Sequence, residues 1–169
     1  LSLRSEWKGF PEGSIVSVSS EKIQLVYKPH KASSFAGLMR TSKRIYLQID
    51  ENVRGQIFEA TIDDKEQWRL ESIFKSESMF SIYASEDTAD VAIFEEEGYL
   101  QPSRFFMKEG GVISEIKKTK SRFNEAAYLT EQFWTRSKDG VLIPYTVIRA
   151  KSLVYDGTNP TLLYGYGGF

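Results

Sequence analysis

The sequence has 169 residues, with 22 Lys and Arg against 23 Asp and Glu and a formal net charge of −1. That balance removes the basic excess expected of a nucleic-acid binder or of a protein held at an anionic membrane. Hydrophobic residues at 41% and charged residues at 27% describe a globular chain rather than a disordered one.

There is no cysteine, so disulfides and thiolate metal sites are excluded, and the one histidine cannot build a metal site by itself. His30, in the polar turn Lys28-Pro29-His30-Lys31, reads as a surface loop residue. No metal or cofactor is expected. No apolar stretch approaches the length of a membrane-spanning helix. The chain opens on Leu1 without a signal-peptide pattern, and both ends read as cut.

Taken in chain order, residues 1–18 read as a hairpin with Gly9, Pro11 and Gly13 in its loop, and Glu21 to Tyr27 as a strand. Ala32 to Leu38 is small and polar and reads as a loop. Arg44 to Asp50 alternates, with Ile45, Leu47 and Ile49 on one face. Gln56 to Ile62 repeats the pattern with Phe58, Ala60 and Ile62, and Trp68 to Ile73 follows. Phe80, Ile82 and Ala84 mark a fourth strand and Asp90 to Phe94 a fifth. A period of two means pleated strands with one face buried. Glu95-Glu96-Glu97-Gly98, like Asp63-Asp64, reads as a solvated turn without chemistry. Gln101 to Met107 and Gly111 to Ile116 are expected to pair across Lys108-Glu109-Gly110. Strands this short, spaced by short turns, predict antiparallel meanders, and a four-stranded unit of this size is a propeller blade. A generic antiparallel sandwich fits the same pattern.

The basic run Lys117, Lys118, Lys120 and Arg122 reads as solvated, and Lys117 to Ala127 as an irregular connector. Beyond it the character changes. Tyr128 to Arg136 and Val141 to Arg149 flank Ser137-Lys138-Asp139-Gly140, where Asp-Gly is a strong hairpin signal. Pro144 marks the return strand as an edge or a bulge. Asp156-Gly157-Thr158-Asn159-Pro160 is a turn cluster, and Thr161 to Tyr164 is a short apolar strand of the kind buried on both faces of a parallel sheet. It runs into Tyr164-Gly165-Tyr166-Gly167-Gly168-Phe169. A glycine-rich turn after a buried strand is where hydrolases built on a central sheet hold an oxyanion. Trp7, Trp68 and Trp134 are expected in the core or between blades.

Ser137-Lys138-Asp139-Gly140, Ile143-Pro144, Asp156-Gly157 and Pro160 to Phe169 together resemble the prolyl oligopeptidase family of serine peptidases, with the YGYGGF ending as the most diagnostic element. Residues 7–13 and Asn52-Val53-Arg54-Gly55 resemble the propeller of bacterial members more loosely. The resemblance implies a mainly β chain: blades of a β-propeller over residues 1–125, then the first strands of an α/β-hydrolase domain over 126–169. It implies a seven-bladed propeller that screens access, and a Ser-Asp-His hydrolase that cuts short peptides after proline. It implies that the Tyr166 hydroxyl helps bind the oxyanion and that Phe169 lies at the substrate pocket. Taken alone, YGYGGF is also compatible with a tight turn packed by aromatics, and Tyr166 with a core tyrosine.

No serine here has glycine at both −2 and +2, so the G-x-S-x-G nucleophile motif is absent from these residues. His30 lies too far upstream to be the triad histidine. As a fragment the chain is therefore expected to be inactive. Its partners would be short peptides in the intact enzyme, without nucleic acid or membrane, and exposed blade edges predict self-association. The compartment implied is the cytoplasm, with the periplasm left open. The alternative is a β-propeller-like interaction module without catalysis.

Overall fold

The computed structural model describes residues 1–74 and 78–165. It is built almost wholly of antiparallel strands, with no α-helix among the described residues. A short two-stranded sheet comes first, β1 (Ile15–Val18) against β2 (Ile23–Tyr27). The preceding residues fold back on it: Leu3 donates to the Ser14 carbonyl and Gly13 to the Leu3 carbonyl, at 2.9 and 2.8 Å.

Two four-stranded meanders follow, each in sequence order. The first holds β3 (Ser33–Arg40), β4 (Ile45–Glu51), β5 (Arg54–Ile62) and β6 (Trp68–Ser72). The second holds β7 (Met79–Glu86), β8 (Val91–Glu97), β9 (Arg104–Glu109) and β10 (Val112–Lys118). A single 3₁₀ turn at Glu125–Ala127 leads into the hairpin of β11 (Tyr128–Arg136) and β12 (Leu142–Ala150). In the two meanders, the first strand and the second strand begin at matching offsets, and both first strands carry a bulge. The repeat is thus structural, although no residue-level repeat is readable.

β3 overturns the loop expected over 32–38. Its inward positions, Phe35, Gly37 and Met39, alternate with exposed Ser34, Ala36, Leu38 and Arg40. Glycine and small residues hide the period in the sequence, although burial alternates without a break across the register shift between Phe35 and Gly37. Glu95, Glu96 and Glu97 are likewise in β8 rather than in a turn. Glu96 is buried and accepts from Arg104 at 3.0 Å, which is what lets a carboxylate sit inside a sheet.

β4 is buried on both faces. Leu47 (0% exposed) and Ile49 face one way, as their alternation predicts, while Tyr46 (1%) faces the other. Met39, Tyr46 and Ile57 meet Phe80, Ala92 and Phe94 in one core between the two meanders. Tyr46 and Phe94 meet edge to face at 5.1 Å, a favoured aromatic geometry. Each such large buried side chain contributes about 1.5–3 kcal/mol relative to exposure.

Around this apolar centre runs a polar network in which Thr41 and Lys108 are buried and Arg44, Glu59 and Asp90 are partly buried. The Glu59 carboxylate takes Arg44 at 2.9 Å and Lys108 at 3.0 Å, Arg44 pairs again with Asp90, and the Thr41 hydroxyl donates to Asp90 at 2.9 Å. Lys108 also stands 6.0 Å from the Tyr46 ring centre. The sheets also approach closely through their backbones. The Ile82 N–H at the β7 bulge donates to the Gln48 side chain at 3.1 Å. A β-carbon on Gly55 would stand 2.3 Å from the Phe80 carbonyl oxygen.

The hairpin forms with nine residues in each strand and no register shift, even where Trp134 faces Pro144. A two-stranded ladder leaves each strand one unpaired edge, which accommodates the proline. The turn differs from a two-residue Asp-Gly loop, because only Gly140 has a positive φ, at 86°. Gly140 N–H donates to the Ser137 carbonyl at 2.9 Å and Ser137 N–H to the Val141 carbonyl at 2.9 Å, closing a longer loop.

Thr161 to Gly165 forms no strand, and Leu162 and Leu163 are 91% and 94% exposed. The parallel-sheet strand expected there needs neighbouring strands, and among the described residues none pairs with it. Trp7 and Trp134 are exposed rather than buried in a core.

Candidate functional site

The two residues singled out for oxyanion and substrate binding, Tyr166 and Phe169, lie outside the described residues. The segment that leads to them is set by a tight polar turn. The Asp156 carboxylate accepts from the Thr158 N–H at 2.9 Å and from its hydroxyl at 2.7 Å, and Gly157 takes φ 81°. These bonds hold the Asp156 carboxyl below the usual carboxylate range. Asn159 donates to the Val154 carbonyl at 2.7 Å, which redirects the chain into Pro160 and Thr161.

Thr161 to Tyr164 then runs along a broad cleft between the hairpin and the ends of the meander strands. Its lining includes Thr130 and Gln132 of β11 together with Val53, Arg54 and Tyr99. Charges on the walls are paired. Arg104 bridges Glu96 and Glu115, which raises its pKa and keeps it charged. Arg149 holds Glu131 at 2.7 Å and lies 5.5 Å from the Tyr155 ring centre. A concave, mixed surface of this kind can bind an extended chain.

The walls carry no nucleophile–base pair. His30 lies elsewhere, exposed, with its Nε2 3.4 Å from Glu51. Among the described residues no group of His, Cys, Asp and Glu could hold a metal ion, and no helix is long and apolar enough to cross a membrane. Asp63 is occupied as a turn residue, accepting from the N–H groups of Lys65 and Gln67 and from Arg69, as the solvated reading has it. Of the basic run, Lys117 and Lys118 belong to β10, and all four side chains are exposed.

Sequence reasoning missed one element of the cleft. The Gln132 side-chain amide donates to the Asn52 carbonyl at 3.0 Å and joins hairpin to meander. The β4–β5 turn it meets contains two left-handed non-glycine residues, Asn52 (φ 50°) and Val53 (φ 63°). Asn-Val is a poor version of the Asn-Gly such turns prefer, and that mismatch was the available signal.

Comparison with known proteins places this geometry. No protein-family model matches the chain. An uncharacterized peptidase of Sinorhizobium fredii is 33% identical over 147 residues, covering 86% of this chain and 20% of that protein. A prolyl endopeptidase of Elizabethkingia miricola is 35% identical over 89 residues, 52% of this chain and 13% of its own. Among solved structures, a post-proline cleaving enzyme from Rickettsia typhi superposes with TM-score 0.83 at 28% identity, covering 99% of this chain and 26% of that one. The relatives are peptidases, and the meanders match the propeller of those enzymes. The relatives and structural neighbours of the chain are members of the prolyl oligopeptidase family. It spans about a fifth of the length of the Sinorhizobium peptidase.

Proposed function

We propose that the whole protein to which these residues belong is a serine peptidase that hydrolyses short peptides on the carboxyl side of proline. The observation that carries this reading is the ordered Ser137 to Phe169 signature, in a chain whose relatives are prolyl peptidases. In this reading residues 1–125 are propeller blades that screen access, and 126–169 open the hydrolase domain. The Tyr166 hydroxyl donates to the carbonyl oxygen as it gains negative charge, and Phe169 lines the pocket. Preorganised donors of this kind are worth roughly 2.7–4 kcal/mol each in acyl transfer.

The 169 residues do not turn over peptide by themselves, because they contain no G-x-S-x-G serine and their one histidine is exposed at Glu51. They also self-associate. The exposed Leu162, Leu163 and Tyr155, together with the unpaired edges of β6 and β10, support this.

The test has two arms. The complete protein is expected to cleave a chromogenic peptide ending in proline and to react with a fluorophosphonate, whereas the 169-residue chain does neither. Sedimentation of that chain is expected to give concentration-dependent species. A complete protein that ignores both reagents would favour a non-catalytic interaction module instead.

A further inference from the structure

The β4–β5 turn is built against its own conformational preference. Asn52 and Val53 both occupy the left-handed region, where asparagine is tolerated but a β-branched residue is strongly disfavoured. Burial does not explain the choice, since Val53 is 70% exposed. The backbone of Asn52 is nevertheless fixed at both ends. Its N–H donates to the Ala32 carbonyl at 2.9 Å, and its carbonyl accepts from Gln132 at 3.0 Å. The second of these bonds spans 80 positions of sequence and is partly buried. Val53 and Arg54 share the lining of the cleft with Thr130, Gln132 and the Thr161 to Tyr164 segment.

We propose that Gln132 and the Asn52–Val53 turn form a clasp that fixes the hairpin on the first meander, with Gln132 as a positioning residue. A turn in this conformation turns the Asn52 carbonyl away from the β4–β5 ladder, where Glu51 pairs with Arg54, and leaves it free for an outside donor. The side-chain amide of Gln132 supplies that donor from the middle of β11. β12 is paired to β11 along its whole length, and it leads through the Asp156 turn to residues 161–165. The clasp therefore bears on where residues 161–164 run along the cleft. Its consequence for turnover rests on the peptidase reading above; its existence does not.

The absence of cysteine allows two introduced labels to be the only reactive thiols. Spin labels at Glu71→Cys on β6 and Lys138→Cys at the hairpin tip, both exposed positions, report the hairpin-to-meander distance in the 169-residue chain when it is diluted into an excess of unlabelled chain, which removes distances between associated copies. One narrow distance is expected. Gln132→Met, which keeps the shape without the donor, and Gln132→Glu, whose carboxylate repels the carbonyl, are both expected to lose that single distance to a broad distribution. A second pair within the meanders, Glu71→Cys with Ser85→Cys, is expected not to change, which separates release of the clasp from unfolding. An unchanged hairpin distance in both variants overturns the proposal. In the complete protein, Gln132→Met is expected to lower kcat by up to about tenfold with little change in KM. If the complete wild-type protein proves inactive on peptides, the peptidase reading fails, while the distance measurement still judges the clasp.

Discussion

Replacing Gly55 with alanine tests the packing of the two meanders at its tightest point. Gly55 is buried in β5 and its φ is negative, so the backbone itself accepts alanine. The added β-carbon would sit 2.3 Å from the Phe80 carbonyl oxygen, 3.4 Å from the Phe80 carbonyl carbon and 3.4 Å from Asp50 Oδ1. A tolerable contact requires at least 3.0 Å, and a backbone carbonyl within β7 cannot swing aside as a side chain can. The sheets must therefore part locally, and overpacking of this kind costs about 1–3 kcal/mol. A clash with backbone belongs in the upper part of that range, about 2–3 kcal/mol, and alanine recovers roughly 0.5–1 kcal/mol over glycine inside a strand, leaving a net loss of about 1–2.5 kcal/mol. For a chain of this size, that lowers the thermal midpoint by roughly 2–10 °C. Gly37 on β3 provides the contrast. A β-carbon there meets only Gln48 and Ile82 side-chain carbons at 3.9 Å, so Gly37→Ala is expected to be neutral or slightly stabilising. Urea and thermal unfolding followed by circular dichroism decide the matter. Equal stability of Gly55→Ala and wild type would refute the close approach of β5 to β7.

Four further outcomes can be measured. Glu59→Gln removes the charge shared by Arg44 and Lys108 and is expected to cost about 3 kcal/mol in urea unfolding, with little salt dependence, as breaking a buried pair does. Asp87→Asn, at the exposed pair with Arg40, is expected to leave the urea midpoint unchanged. Burial, then the neighbouring Glu59, pushes the Tyr46 hydroxyl from 10.0 up to about 12. The unfolded chain ionises first, so the stability from the neutral phenol is complete below pH 10 and is lost as pH rises from 10 to about 12; Tyr46→Phe should flatten that fall in urea midpoints. In the complete protein, Tyr166→Phe is expected to lower kcat by about 10²–10³ with little change in KM, and an unchanged kcat would remove the hydroxyl from the oxyanion site.

What was legible in the sequence was what alternation can carry. Ile45, Leu47 and Ile49 announced β4, which buries that face, and Phe80 and Ile82 announced β7, whose inward row ends at the bulge before the exposed Ala84. β3 was not legible, since its inward row contains a glycine and its outward row mixes Ser34, Ala36 and Leu38. Glu96 was misplaced because local charge says nothing of Arg104, eight residues away across a sheet. The apolar face through Leu47 was readable, but Tyr46 on the opposite face was not: a strand sandwiched between sheets buries both faces, and that depends on chain elsewhere. The network of Arg44, Glu59, Asp90 and Lys108 joins four distant positions that no local pattern connects. The candidate site was legible only as a motif. Its family signature ends in Tyr166 to Phe169, whereas the clasp at Gln132 depends on a contact across 80 residues.

Kinetics of the complete protein on paired peptides that differ only in proline or alanine before the scissile bond bear most directly on the catalytic reading. Cleavage after proline by the complete protein, strong preference over alanine, and no turnover by residues 1–169 are the predicted result. A complete protein that cleaves neither peptide, or a 169-residue chain that cleaves as fast as the whole, would contradict it.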